Sequence, residues 1–310
     1  MDLALVQTAL ELGLICSLTV LALFLSYSML NVCDLSTDGC FTMGAAVGAV
    51  VAISGHPLLS LPAAMLAGVC SGFVTALLQT KMGVDSLLAG IIVNTGLYSI
   101  NIAIMGGSSL LNMNKTDTVF TMVKEFLEGT PMENQSKLLV AAVAMIFVVV
   151  VLTLFLATRL GLAIRATGDN PDMVRSSSIN PAFTTIVGLC VANAFTGLSG
   201  CLLAQSQKSV DINIGTGMVN IALASLLIGR TIMGRGSILF RAVGVVVGAF
   251  LFRLVYTIAL RFDMPAFMLK LVSSVIVVLA ISGPYLKKQW PLLRRRFLDS
   301  KAQKGGNSAC

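Results

Sequence analysis

The sequence predicts an all-α integral membrane protein: a polytopic bundle of about nine transmembrane helices, one of them short or re-entrant, with a short helix on the cytoplasmic side. Three observations carry this. First, 56% of the 310 residues are hydrophobic and only 11% are charged, whereas soluble domains carry about a quarter charged residues. Second, apolar windows of about 20 residues recur along the chain, long enough to cross a bilayer's hydrocarbon core as helices. Third, the chain lacks the alternating segments of about 10 residues that a membrane barrel requires.

In chain order, the amino-terminal stretch has no Lys or Arg, and a cleaved signal peptide needs a basic front. Residues 5–30 are therefore expected to be a retained first span. Further spans are expected near 38–54, 60–79, 86–105, 138–157, 183–204, 217–229, 238–259 and 265–283. The run "GMVNIALASLLIG" at 217–229 is too short for a comfortable crossing. It reads as a half-helix or re-entrant piece, which a bilayer tolerates only where protein surrounds it. Gly44/Gly48, Gly68/Gly72 and Gly244/Gly248 are spaced for close helix approach. Residues 1–285 are read as one membrane domain, with an external loop at 106–137 and a cytoplasmic segment at 158–181. Residues 286–310 form a basic tail, "KKQWPLLRRRF" at its heart, suited to lie against anionic lipid.

Cationic loops mark the cytoplasmic side. Lys81, then Arg159, Arg165 and Arg175, then Arg230 and Arg235, then the tail all fall on one side if the amino terminus is outside and the carboxyl terminus inside. The net charge of +7 is thus a membrane signature and not a nucleic-acid one. Seven cysteines without a Cys-x-x-Cys pair argue against a disulfide framework. The single His56 has no companions for a metal site.

The segment "GLAIRATGDNPDMVRSSSIN", Gly161 to Asn180, is charged and lies between two apolar runs. Asn170 is a good helix N-cap, Pro171 suits the first helical position, and Asp172 favours the positive end of the helix dipole. A helix of two to three turns is expected over "NPDMVRSSSI", with bends permitted at Gly161 and Gly168. Arg165 offers a fixed charge suited to a partner's carboxylate. A plain connecting loop is the competing reading.

This segment and "VANAFTGLSGCLLAQ" after it resemble the signature region of bacterial ABC-importer permeases, in the branched-chain amino acid and ribose permease group. The matching positions are Gly161, Ala163, Arg165, Ala166, Gly168, Asn170, Pro171, Ile179, Ala192, Asn193, Gly197, Leu198 and Gly200. "DLSTDGCFTMGAAVGA", Asp34 to Ala49, resembles the same group's early Gly-Ala segment. Val174 and Ser178 depart from it, since relatives often carry Ala and Gly there. The resemblance implies a permease subunit of the bacterial inner membrane, with no catalytic residues, metal or cofactor of its own. ATP and Mg would be held by a separate ATPase. Further partners would be a second permease chain, identical or related, and an external substrate-binding protein. Coupling to the ATPase would fall to Arg165, Gly168, Asp169, Asn170, Pro171 and Asp172. The expected solute is an amino acid, branched-chain or aromatic. A sugar or nucleoside, or a stand-alone secondary transporter, are the alternatives.

Buried polar groups in a membrane are functional candidates. Asn94 and Asn101 lie seven residues apart, on one helix face, and with Asn193 are the candidates for a translocation path. Gln205 and Asn220 are further polar positions, and interhelical hydrogen bonding is the competing role for each. Arg253 and Lys270 are expected near the outer surface. Asp85 and Asp263 sit at span ends, and no intramembrane carboxylate chain of the kind used for proton relays is expected. Gly229 to Ser237, "GRTIMGRGS", lacks the Lys of a phosphate loop. Ser176, Ser177 and Ser178 have no base near them in sequence.

Overall fold

A computed structural model of the chain describes residues 3–129, 135–233 and 236–261, together with 271, 274–278 and 282. Its helices follow the apolar runs. The first, α1 (Leu3–Leu23), passes into a π-helical turn, Phe24–Met29. Then come α2 (Thr37–Ile53), α3 (Ser60–Lys81), α4 (Ser86–Ile104), α5 (Val119–Phe126), α6 (Ser136–Ala157), α7 (Arg159–Asp169), α8 (Pro171–Ser176), α9 (Pro181–Gln207), α10 (Met218–Met233) and α11 (Ile238–Arg261). Among the described residues six helices are long and apolar enough to cross a membrane, and α2 and α10 are shorter apolar helices. Eight of the nine expected runs are thus helical. Of the expected span at 265–283 only residues 271, 274–278 and 282 are described, and these are helical; Asp263, Lys270 and the basic tail lie outside the described residues.

The centre of the bundle is α9, with α1 beside it and α2 and α3 packed on it. Both α1 and α9 are mostly buried, whereas α4 and α6 show most of their surface. Lipid is as apolar as leucine, so close packing must hold such helices together. Small residues supply it: a side chain on Gly44 would strike Gly197, one on Gly68 the Asn193 carbonyl, and one on Gly248 the Ser225 carbonyl. All three Gly-x-x-x-Gly pairs are therefore spent within the chain.

The segment 106–137, expected to be an external loop, is more structured than a loop where it is described. Two short strands, β1 (Leu110–Asn112) and β2 (Ser209–Asp211), pair antiparallel with Leu111 opposite Val210. Thr118 caps α5 in a reciprocal capping box with Thr121. Gln205, fully buried, ties this cap to the bundle: its Oε1 accepts from the Val119 amide at 2.9 Å and its Nε2 donates to Ser60 Oγ at 2.6 Å. Asn220 is exposed on α10. Arg253 is half-buried on α11, its guanidinium over the Tyr256 ring at 5.0 Å. His56 is exposed in the short turn before α3, and no metal-holding cluster occurs among the described residues.

Two breaks in helical structure reach into the bundle. Residues 30–36 are non-helical, with Asn31 at a positive φ of 56°. They include Asp34, whose partner Asn193 lies twelve residues into α9, roughly 18 Å from that helix's start at about 1.5 Å per residue. The chain therefore turns back from the end of the first span and begins α2 at depth. The second break precedes α10, which at sixteen residues spans about 24 Å, short of a hydrocarbon core of about 30 Å. This length matches the half-helix expected at 217–229, extended by four residues at its carboxyl end.

Candidate functional site

Three connected features make up the site: the α7–α8 hairpin, a buried polar network at Asp34, and a polar cavity beside α4. The hairpin is built by capping. Thr158 Oγ1 accepts from the Gly161 amide at 3.2 Å and opens α7. Asn170 closes α7 and opens α8, its Oδ1 accepting from the amides of Asp172 and Met173 at 3.1 Å each. Pro171 sits at the first helical position, as expected, and Asn180 caps α9 by accepting from Ala182 at 3.0 Å.

The helix after Asn170 is six residues long, not two to three turns. It stops because Ser178 takes a left-handed conformation at φ 61°, a state costly for any residue with a Cβ. Ser178 is also the departure at which the resemblance leads one to expect Gly. The approach through "GLAIRATGD" is itself a helix, α7, so Gly161 and Gly168 do not bend it. Both instead permit close contact: a Cβ on Gly161 would strike the Phe155 carbonyl and one on Gly168 the Met29 carbonyl. Their spacing in sequence looked like flexibility because the neighbours they touch come from α6 and from the end of the first span.

Arg165 packs against its own chain: it is half-buried and its Nη2 donates to the Leu156 carbonyl at 3.4 Å, near the carboxyl end of α6, where a cation suits the helix dipole. Thr167 Oγ1 and Thr184 Oγ1, 2.8 Å apart, tie α7 to α9, and Ile164 is fully buried. Val174, 3% exposed, seats α8 against the bundle. Asp169, Asn170, Pro171, Asp172 and Met173 remain exposed at the tip. Arg175 and Asp172 form an exposed ion pair at 3.9 Å. The hairpin is thus a rigid knob on a fixed stem.

The second feature is a buried carboxylate that sequence reading passed over. Asp34 is 2% exposed. Its Oδ1 accepts from the Ser36 amide at 2.8 Å and the Ser36 hydroxyl at 2.6 Å, and its Oδ2 accepts from Asn193 Nδ2 at 2.7 Å. Thr75 of α3 donates to Ser36 Oγ at 3.1 Å, and Cys40 Sγ donates to the Asn193 carbonyl at 3.4 Å. Buried charges persist where hydrogen bonds compensate them, and here α2, α3 and α9 all contribute. Asn193 therefore sits in an interhelical hydrogen-bond network and does not line the cavity.

The cavity has a volume of about 390 Å³ and is lined by Asp38, Thr42, Asn94, Tyr98, Asn101 and Asn213, among others. Asn94 and Asn101 therefore do share one face, as their spacing predicts. Asn101 donates from Nδ2 to the Gly39 carbonyl at 3.1 Å, and its Oδ1 is buried with no partner. Asp38 lies in the first turn of α2 and caps the start of α10: Oδ2 accepts from the Gly217 amide at 2.9 Å and Oδ1 from the Val219 amide at 2.8 Å. Among the described residues of the cavity wall the one carboxylate is thereby occupied, and the polar groups left for a solute are neutral amides and hydroxyls. Asp34 and Asp38, on either side of the start of α2, are thus each engaged by hydroxyl, backbone or amide donors within the chain. Their legible signal was "DLSTDG", a cap-forming polar string ahead of an apolar run.

Comparison with known proteins gives a consistent answer. The family model described as "Branched-chain amino acid transport system / permease component" matches residues 5–281. The tyrosine transport system permease protein of Clostridioides difficile is 33% identical over 268 residues, covering 86% of each chain. The ribose import permease protein RbsC of Escherichia coli is 24% identical over 80% of this chain and 75% of its own. The nucleoside ABC transporter permease protein NupB of Lactococcus lactis is 26% identical over 57% of this chain and 51% of its own. No solved structure matches.

Proposed function

The chain belongs to the branched-chain amino acid transport system permease family, a multi-pass ABC-type permease of the inner membrane, and from that premise we propose that it carries an amino acid across the membrane for an importer powered by a separate ATPase. The observation that carries the coupling half of this reading is the α7–α8 knob: capped by Thr158 at its start and by Asn170 at its turn, anchored by Val174, Gly168 and Thr167, and exposed at Asp169 to Met173. A rigid projection transmits displacement, and a two-state bundle turns displacement into alternating access. In this assignment Asp169, Asn170, Pro171 and Asp172 meet the ATPase, and Arg165 and Gly168 hold the stem. ATP and Mg stay with the ATPase.

Solute passage is assigned to the cavity wall at Asn94 and Asn101. The wall is neutral, which suits a zwitterion. The tyrosine permease similarity supports an amino acid. The same neutral wall and the similarity to ribose and nucleoside permeases favour a second reading, an uncharged sugar or nucleoside. A second permease chain is expected to complete the path along the largely uncovered face of α4, and an external binding protein to deliver the solute. The amino terminus is assigned to the outside and the carboxyl terminus to the inside.

The test is co-purification of the tagged chain from its native membrane, beside an Asn170→Ala/Asp172→Ala variant. An ATPase subunit retained by the wild type and lost or uncoupled in the variant supports the reading. A chain that purifies alone, and transports in liposomes without any ATPase, would sink it in favour of a stand-alone transporter. Binding assays on the cognate external protein then decide amino acid against sugar or nucleoside.

A further inference from the structure

At the end of the bundle that carries the α7–α8 hairpin, three arginines converge on the π-helical end of the first span. Arg241, in the first turn of α11, donates from Nη2 to Ser28 Oγ at 3.3 Å and lays its guanidinium over the Phe24 ring, 5.5 Å from the centroid. Arg230, in the last turn of α10, and Arg165 of α7 both act on it as neighbouring like charges. Packing enforces the convergence. Gly229 abuts the backbone of Gly244 and Val245, which brings the end of α10 against the start of α11, and Gly168 abuts Met29, which brings α7 to the π-helical turn.

Among the described residues no carboxylate pairs with any of the three; the ion pair there is Arg175 with Asp172, on exposed α8. Arg165 has a buried Nε without a partner. The amino end of α11 adds a partial positive charge of its own. Like charges gathered in a half-buried place are costly without a counterion. The surroundings say what form that counterion takes. Ile232, Leu239, Phe240 and Val243, next to Arg230 and Arg241 on the same helices, are 40% to 51% exposed. An occupant that matches both the charge and this apolar rim has an anionic head and an oily body.

We propose that Arg165, Arg230 and Arg241 form an interhelical site for the phosphate headgroup of an anionic membrane lipid, with its acyl chains along the exposed faces of α10 and α11. Guanidinium forks match phosphate oxygens in pairs, and basic pockets between helices at a membrane surface are suited to such headgroups. Bound there, the lipid pins the first span, the hairpin stem and the α10–α11 pair to one another.

The test uses the full-length chain in nanodiscs of phosphatidylcholine, with or without phosphatidylglycerol, read by thermal unfolding and by native mass spectrometry of retained lipid. The wild type is expected to melt higher with phosphatidylglycerol and to retain it. Arg230→Gln and Arg241→Gln are expected to lose that shift and the retained lipid, while melting close to wild type in phosphatidylcholine alone. Arg230 is exposed, so its variant decides the matter if Arg241→Gln does not fold. A tail variant, Arg294→Gln/Arg295→Gln/Arg296→Gln, is expected to keep the shift. The proposal is overturned if Arg230→Gln keeps the full shift, if the shift follows the tail variant instead, or if millimolar inorganic phosphate in phosphatidylcholine reproduces it.

Discussion

Asn170 does two jobs with one side chain, ending α7 and starting α8. Replacing an Asn cap by Ala costs about 1 kcal/mol, too little to unfold the bundle but enough to loosen a six-residue helix. Asn170→Ala is therefore expected to leave the melting temperature nearly unchanged while cutting solute-stimulated ATPase activity of the assembled importer severalfold. Equal losses in both would show a merely structural role. Ser178 gives the opposite sign. A left-handed residue with a Cβ is strained by roughly 1–2 kcal/mol, so Ser178→Gly is expected to raise stability by about 1 kcal/mol or leave it level, measured by thermal unfolding in detergent. At Asp34, Ala would strand the Asn193 amide and the Ser36 donors inside the bundle, and unsatisfied buried groups cost about 1–3 kcal/mol each. Asp34→Ala is expected to lower the melting temperature markedly, and Asp34→Asn by less, because one carbonyl oxygen still accepts.

At the scale of elements, the spans were legible because a bilayer imposes a length and a composition on each helix, and a hydropathy window detects both. The breaks were not. A window over "NVCDLSTDGC" averages its polar residues into the apolar runs on either side, and nothing local announces that Asp34 will meet a residue 159 positions away. The α7 helix was hidden for a related reason: two glycines in eight residues look like hinges until the carbonyls they touch are seen. Half of the site was readable, namely the Asn170–Pro171 cap and the shared face of Asn94 and Asn101, because both follow from spacing along one helix. Asp38 belongs to the other half. Asp38→Ala removes both acceptors from the amides of Gly217 and Val219, and is expected to release the start of α10, seen as faster amide exchange there than in α9.

At the scale of the molecule, the burial is lopsided. The spans α1 and α9 are enclosed while α4 presents Leu88, Ile92, Tyr98 and Ile100 outward, each at least half exposed. Part of that face borders the cavity, so a second chain is expected to close it. A single cysteine introduced at Tyr98, in a chain whose native thiols have been replaced, is expected to cross-link two copies if the assembly is a homodimer. Failure to cross-link, with a different permease chain recovered from the same membrane, would make it a heterodimer. Among the described residues the six cysteines are all free.

The Asp38 cap has an electrical meaning as well. Two helices, α2 and α10, begin at this one carboxylate, and each helix start carries roughly +0.5 of an elementary charge. Their sum nearly cancels the carboxylate. The cavity that Asp38 lines is thereby left close to neutral. On the proposed importer reading, such a wall gives a stray cation no net charge to rest on while the chain waits for its solute.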